Sequence, residues 1–182
     1  MTLILGIEDP AGALLAADSS MGQDNFTTTR TPDQPKVFRR GEYVVAVCGS
    51  CRMFDIARWI VPFPPPPAKP SRAVYRHLVT VIIPGLRKAM DDAGALKPDK
   101  ELNGGMLLGI GPHVYEIDSG FSVSRDGCGY ITGGSGGMPA LGALHATRGQ
   151  PARERAVAAL RAATDQTAFV RRPYRFVRAR VR

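Results

Sequence analysis

Two short runs, residues 3–7 and 43–47, are apolar at nearly every position. A strand with one wet face alternates between apolar and polar, so a near-continuous apolar run of this length reads as a strand covered on both faces. Each run belongs to a hairpin. After residues 3–7 come Asp9-Pro10-Ala11-Gly12, where Pro presets φ and Gly accepts the positive φ of a tight turn, and residues 13–17 return as the second strand. Residues 36–39, the turn Arg40-Gly41-Glu42 and residues 43–47 form a second hairpin, and residues 106–110 and 114–117 form a third around Gly111-Pro112. Residues 130–133 read as a strand entering Gly133-Gly134-Ser135-Gly136-Gly137, and residues 174–177 as a late strand.

Helices fill the intervals. One starts at the N-cap Ser50 and runs past Trp59-Ile60; a second, capped by Ser71, carries Val74, Leu78, Val79 and Ile82 at helical spacing. Pro84-Gly85 should kink or split it before residues 86–93. A small-faced helix spans residues 139–146, and Pro151 opens another with Ala156, Val157 and Leu160 as its stripe. Residues 19–35 are polar and read as a loop, and residues 62–67 as a stiff polyproline connection. Hairpins flanked by helix pairs imply antiparallel sheets with helices outside. Where two apolar sheets face each other, the outcome is α+β, a four-layer αββα sandwich. It is expected as one domain over residues 1–182, with an Arg-rich tail at about 171–182.

Composition narrows the function classes. No apolar run approaches the ~20 residues of a membrane span, and the N-terminus lacks the basic start and long apolar stretch of a secretory signal, so the cytoplasm is the expected compartment. The net charge of +8 comes mostly from arginine and is dense only at Arg171, Arg172, Arg175, Arg178, Arg180 and Arg182. That distribution argues for a solvated edge over a nucleic-acid footprint. Cys48, Cys51 and Cys128 cannot all pair within one chain, which fits free thiols.

Chemistry gathers at a few positions. Once Met1 is trimmed, Thr2 carries a hydroxyl and a free α-amine of pKa ~7.7–8.0, so nucleophile and base sit in one residue. Asp18 ends the second strand, and the opening hairpin returns it toward Thr2; a carboxylate there needs a partner. Lys36, the only lysine among the first 68 residues, is the partner available. A cation beside the amine disfavours its protonation and keeps it a base. Cys48-Gly49-Ser50-Cys51 lies at a strand-to-helix junction, where backbone N–H groups can bind an oxyanion; the Cys-x-x-Cys spacing also allows thiol–disulfide chemistry. The glycine run at 133–137 lacks the Lys-Ser/Thr of a phosphate loop and offers Ser135 instead. His77, His113 and His145 have no evident partner and read as surface or core histidines. No cofactor and no metal are expected.

Taken in order, Thr2, Ala16-Ala17-Asp18-Ser19, Lys36-Val37, Gly49-Ser50, and Gly134-Ser135-Gly136-Gly137 with Ala140-Leu141-Gly142-Ala143-Leu144 resemble the proteasome β-subunit family. The closest likeness is to its small bacterial and phage HslV-like members, and it extends from Thr2 to about Phe169. The resemblance implies an N-terminal nucleophile hydrolase with an αββα sandwich, acting as a threonine endopeptidase on polypeptides. It casts Thr2 as nucleophile, Asp18 as buried acid, Lys36 as active-site lysine, Gly49 with Ser50 as oxyanion hole, and Ser135 as the serine around the terminal amine. Asp165 is the counterpart of a late acid, while the serine that follows it in the family falls here near Thr167-Ala168. The resemblance further implies a homo-oligomeric ring served by an ATP-dependent unfoldase, with pocket specificity set near Met21, Val47 and Cys51. A catalytically silent assembly subunit and a Cys48/Cys51 oxidoreductase are the competing readings.

Overall fold

The computed structural model describes residues 2–23, 26–29, 33–68 and 71–181. The chain opens with β1 (Ile4–Ile7) and β2 (Leu14–Ala17), paired antiparallel with Ile4 opposite Ala17. The turn between them forms as expected: Gly12 has φ +112° and its N–H donates to Asp9 O at 2.8 Å. Next come β3 (Ser20–Gln23) and β4 (Phe26–Thr29), a two-stranded sheet, so the polar segment 19–35 contains a hairpin and is not simply a loop. Its threonines have β propensity, but the segment has no apolar alternation to announce a strand. Then follow β5 (Val37–Arg40), β6 (Tyr43–Gly49) and α1 (Cys51–Trp59).

The second helical region comprises α2 (Ser71–His77), a π-helical turn at Leu78–Ile82, and α3 (Ile83–Asp92). Ser71 is the first helical residue rather than its cap. Pro84 does not break the helix, because the wider π turn lies just before it, where the proline ring and missing N–H would disturb an α-helical ladder. Val74, Leu78 and Ile82 face the core, whereas Val79 is exposed. The chain continues with β7 (Gly104–Ile110), β8 (His113–Ile117), β9 (Val123–Ser124), β10 (Tyr130–Gly133), α4 (Gly137–Ala146), α5 (Ala152–Gln166) and β11 (Arg175–Arg178).

Two antiparallel sheets result, one ordered β10-β1-β2-β11 and the other β5-β6-β7-β8-β9. Three apolar layers hold them. Ile4, Leu15, Ala17, Val44, Ala46, Leu107 and Val114 meet between the sheets. Leu5, Ile7, Leu14 and Ala16 turn the other way, onto Ala140 and Leu144 of α4 and Ala156, Leu160 and Ala163 of α5. On the far side Tyr43, Val45 and Val47 pack on Met53, Ile56, Leu78, Leu86 and Met90 of the other helices. The unbroken apolar runs are therefore strands buried on both faces, and the fold is the four-layer αββα sandwich. Each fully buried Leu, Ile or Val in these layers contributes about 1.5–3 kcal/mol. The Arg-rich tail is not merely a solvated end, since β11 pairs with β2 and Arg178 bonds the Asp9 carboxylate at 2.7 Å. No helix among the described residues is long and apolar enough to cross a membrane.

Candidate active site

Because β1 and β2 are antiparallel, the start of the first and the end of the second lie side by side, and Asp18 reaches Thr2's neighbour. Leu3 N donates to Asp18 Oδ1 at 2.9 Å, and Asp18 N donates to Leu3 O at 3.2 Å. Lys36, at the entry to β5, sends its Nζ to the same Oδ1 at 2.6 Å. Both side chains are sealed from solvent: Asp18 is 1% exposed and Lys36 2%. The second carboxylate oxygen accepts from Ser20 N at 2.9 Å, from the Ser20 hydroxyl, and from Arg171 N at 3.4 Å. Five donors thus surround one carboxylate, which satisfies its lone pairs in a buried setting.

Thr2 itself is 5% exposed. Its N–H points at Ser135 Oγ (3.3 Å), and its carbonyl accepts from Gly136 N at 3.3 Å. The glycine turn that carries Ser135 must come this close: Gly134 has φ +88°, and a Cβ there would lie 2.2 Å from Thr2 O. Only glycine fits both the backbone angle and the contact.

The junction of β6 with α1 carries Gly49 and Ser50. Gly49 is exposed at the end of β6 with φ +125°, and a Cβ would meet Asn103 O at 2.1 Å. Val47 N donates to Lys36 O at 3.0 Å, and strand alternation turns the Gly49 N–H to the same side, past the point where β5 begins. Ser50 plays a different part: its N–H is taken by Asn103 O at 3.0 Å, and its Oγ caps α1 by accepting from Met53 N at 3.3 Å. Of the two expected oxyanion donors, Ser50 has its N–H taken by Asn103, while the Gly49 N–H is directed by the alternation of β6.

Asp165 is not drawn into the group. The buried stripe of α5 runs through Ala156, Ala159, Leu160 and Ala163, and this phase turns Asp165 to solvent in the last turn. The Thr167 hydroxyl is committed to Ala163 O at 2.8 Å. Ser20, and the backbone of Phe169 and Arg171, are what the sequence reading missed. The one signal for Ser20 is Asp-x-Ser after a strand, a spacing that favours a carboxylate bonded to the backbone two residues on.

Cys48 and Cys51 carry no disulfide between them. None of the three cysteines is disulfide-bonded, and burial pushes the Cys48 thiol up, only partly offset by its contact to Gly105 O at 3.5 Å. Cys51 turns elsewhere, toward Met21 Sδ at 3.6 Å. The histidines lie away from Thr2: His77 contacts Tyr43 Oη at 2.9 Å, His145 contacts Tyr130 Oη at 3.4 Å, and His113 faces Glu8. A cavity of about 170 Å³ lined by Glu42, Pro66, His113 and Arg180 sits at the opposite end of the sheet, where β6 begins, and holds none of the candidate residues.

No family model matches the sequence, and no curated protein is significantly similar to it. Solved structures do match in fold. Thiobacillus denitrificans BPH in complex with epoxomicin superposes with a TM-score of 0.80 at 17% identity, covering 99% of this chain and 99% of that one. A second structure of Thiobacillus denitrificans BPH gives 0.78 at 17% identity, with 99% and 98% covered. Eukaryotic HslV from Trypanosoma brucei gives 0.69 at 18% identity, with 96% and 97% covered. The chain shares the sandwich architecture of these BPH and HslV structures.

Proposed function

We infer that this chain is a threonine peptidase of the proteasome type, with Thr2 acting once it is the N-terminal residue. One observation carries the reading: a Lys36–Asp18 ion pair at 2.6 Å, sealed from water and hydrogen-bonded to the residue beside Thr2. Buried ion pairs are poor stabilisers, and well-packed apolar residues of the same volume often serve stability as well or better by about 1–4 kcal/mol. A pair kept at that cost next to a hydroxyl-bearing residue is accounted for by chemistry.

The reaction follows from the arrangement. The freed Thr2 amine, held by Ser135 Oγ, takes the proton of the Thr2 hydroxyl as Oγ1 attacks the substrate carbonyl. The Lys36 cation favours the unprotonated amine, and Asp18 holds Lys36 in place. The developing oxyanion is met by the Gly49 N–H. The ammonium returns its proton to the leaving amine, an acyl ester remains on Thr2, and a water deprotonated by the same amine releases the acid. The same reading includes a homo-oligomeric ring that takes unfolded polypeptide from an ATP-dependent unfoldase, a state that sedimentation of the purified protein would reveal.

The test is hydrolysis of fluorogenic peptides together with intact mass after exposure to a threonine-directed covalent inhibitor. The protein with Thr2 freed should cleave and gain one inhibitor mass, and Thr2→Ala should do neither. Cleavage that survives Thr2→Ala would sink the reading.

A further inference from the structure

We propose that Ser20 is a positioning residue whose hydroxyl sets the orientation and charge of Asp18 by donating to the carboxylate oxygen that also accepts from the Arg171 backbone. The proposal rests on the peptidase reading above. Ser20 is the first residue of β3 and has no solvent exposure. Its Oγ contacts both Asp18 Oδ2 and the Phe169 carbonyl oxygen. A hydroxyl has one proton to give, and the charged carboxylate is the stronger acceptor. The same segment is stitched again by Ser19 N to Arg171 O at 3.1 Å and by Arg171 N to Asp18 Oδ2 at 3.4 Å.

The two oxygens of Asp18 therefore have separate duties. Oδ1 faces Lys36 and the Leu3 N–H, on the side of Thr2, and Oδ2 faces Ser20 and Arg171. Without the Ser20 hydroxyl, Oδ2 keeps only two backbone donors, one of them long. The carboxylate is then freer to rotate away from Lys36, and its negative charge is less dispersed. Lys36, entering β5, is the cation bonded to Asp18, Arg171 bonds it through its backbone N–H, and the freed Thr2 amine ahead of β1 is the second cation the proposed function adds. A more concentrated negative charge stabilises the ammonium form of Thr2 and so withdraws the base.

The experiment compares the full chain with Thr2 freed, Ser20→Ala and Ser20→Thr in peptide hydrolysis as a function of pH, with inhibitor labelling counted by mass. Ser20→Ala should lower kcat by about tenfold, the size expected for one charge-assisted hydrogen bond. KM should stay within about twofold, because Ser20 is buried away from substrate. The acid limb of kcat should move up by about half a pH unit, since the amine becomes harder to deprotonate. Ser20→Thr, which keeps the hydroxyl, should return both values toward wild type. If Ser20→Ala does not fold, Ser20→Cys, of similar shape but a weak donor, should show the same changes at smaller size. An unchanged kcat overturns the proposal, and so does a fall in kcat with an unmoved acid limb, which would mark a merely structural loss. Wild type that neither cleaves nor labels would instead remove the peptidase reading and this proposal with it.

Discussion

Lys36 and Asp18 are each nearly inaccessible, so neither can lose its partner without leaving a bare charge in the interior. Lys36→Ala or Asp18→Ala should therefore destabilise the protein by about 3–5 kcal/mol in denaturant titration, and the double replacement Lys36→Met with Asp18→Asn should cost clearly less than the sum. If the single variants unfold at the wild-type midpoint, the pair is not buried as described. Gly134→Ala places a methyl group against Thr2 O and a side chain at φ +88°. It should slow peptide cleavage by at least tenfold while Thr2 remains present by mass. The thiols offer a separate check. Iodoacetamide at neutral pH should label the exposed Cys51 and Cys128 quickly and Cys48 slowly, because burial raises the Cys48 thiol's pKa and hides it. Fast labelling of Cys48 would reopen the oxidoreductase reading.

Between residues and whole molecule stand the junctions of strands with helices, and the β6–α1 junction separates structural from chemical duties. Ser50→Ala removes the N-cap of α1 and should cost about 1 kcal/mol in the thermal midpoint analysis. It should change kcat by less than about twofold, because the hydroxyl it removes is spent on the α1 cap, while the backbone amide given to Asn103 is retained. A large loss in kcat at unchanged stability would give the Ser50 hydroxyl a part in the proposed site beyond its cap. Hairpins with turn chemistry between apolar runs were legible in the sequence, as was the Ser50 cap, since both are local. The β3–β4 hairpin was not, because its strands lack apolar alternation. Nor was the behaviour of Pro84, whose effect depends on whether the preceding turn can widen. Asp165 was misplaced for a related reason: its position depends on the rotational phase of α5, which is set by the buried Ala156, Ala159, Leu160 and Ala163.

Across the molecule, distant segments are joined by a few polar ties that bridge the layers. Glu8, just past β1, bonds Arg125 at 2.6 Å and accepts from Val114 N in β8 at 3.1 Å, linking one sheet to the other. Burial alone would raise its carboxyl, but the Arg125 and Val114 hydrogen bonds outweigh that and hold it below its ordinary 4.5. A folded value below the unfolded one gives stability that is complete above about pH 4.5 and disappears as pH falls through the depressed value. Glu8→Gln should accordingly flatten the acid side of the stability–pH curve and leave its slope near neutrality unchanged. The arginine-rich end is likewise integral, because β11 pairs with β2 and Arg171 N reaches Asp18. The sequence by itself determined the strand hairpins and the layered sandwich, because periodicity and turn chemistry are local properties, and it supplied Thr2, Asp18 and Lys36 as the candidate set on which the proposed function draws. Only the tertiary structure decided that the Ser50 N–H goes to Asn103, that Asp165 faces water, and that Ser20 completes the carboxylate's shell. The Ser50 outcome depends on a remote carbonyl claiming its donor, the Asp165 outcome on which face of α5 the core buries, and the closing of the Asp18 shell on the distant Arg171 backbone, and no spacing along the chain encodes those choices.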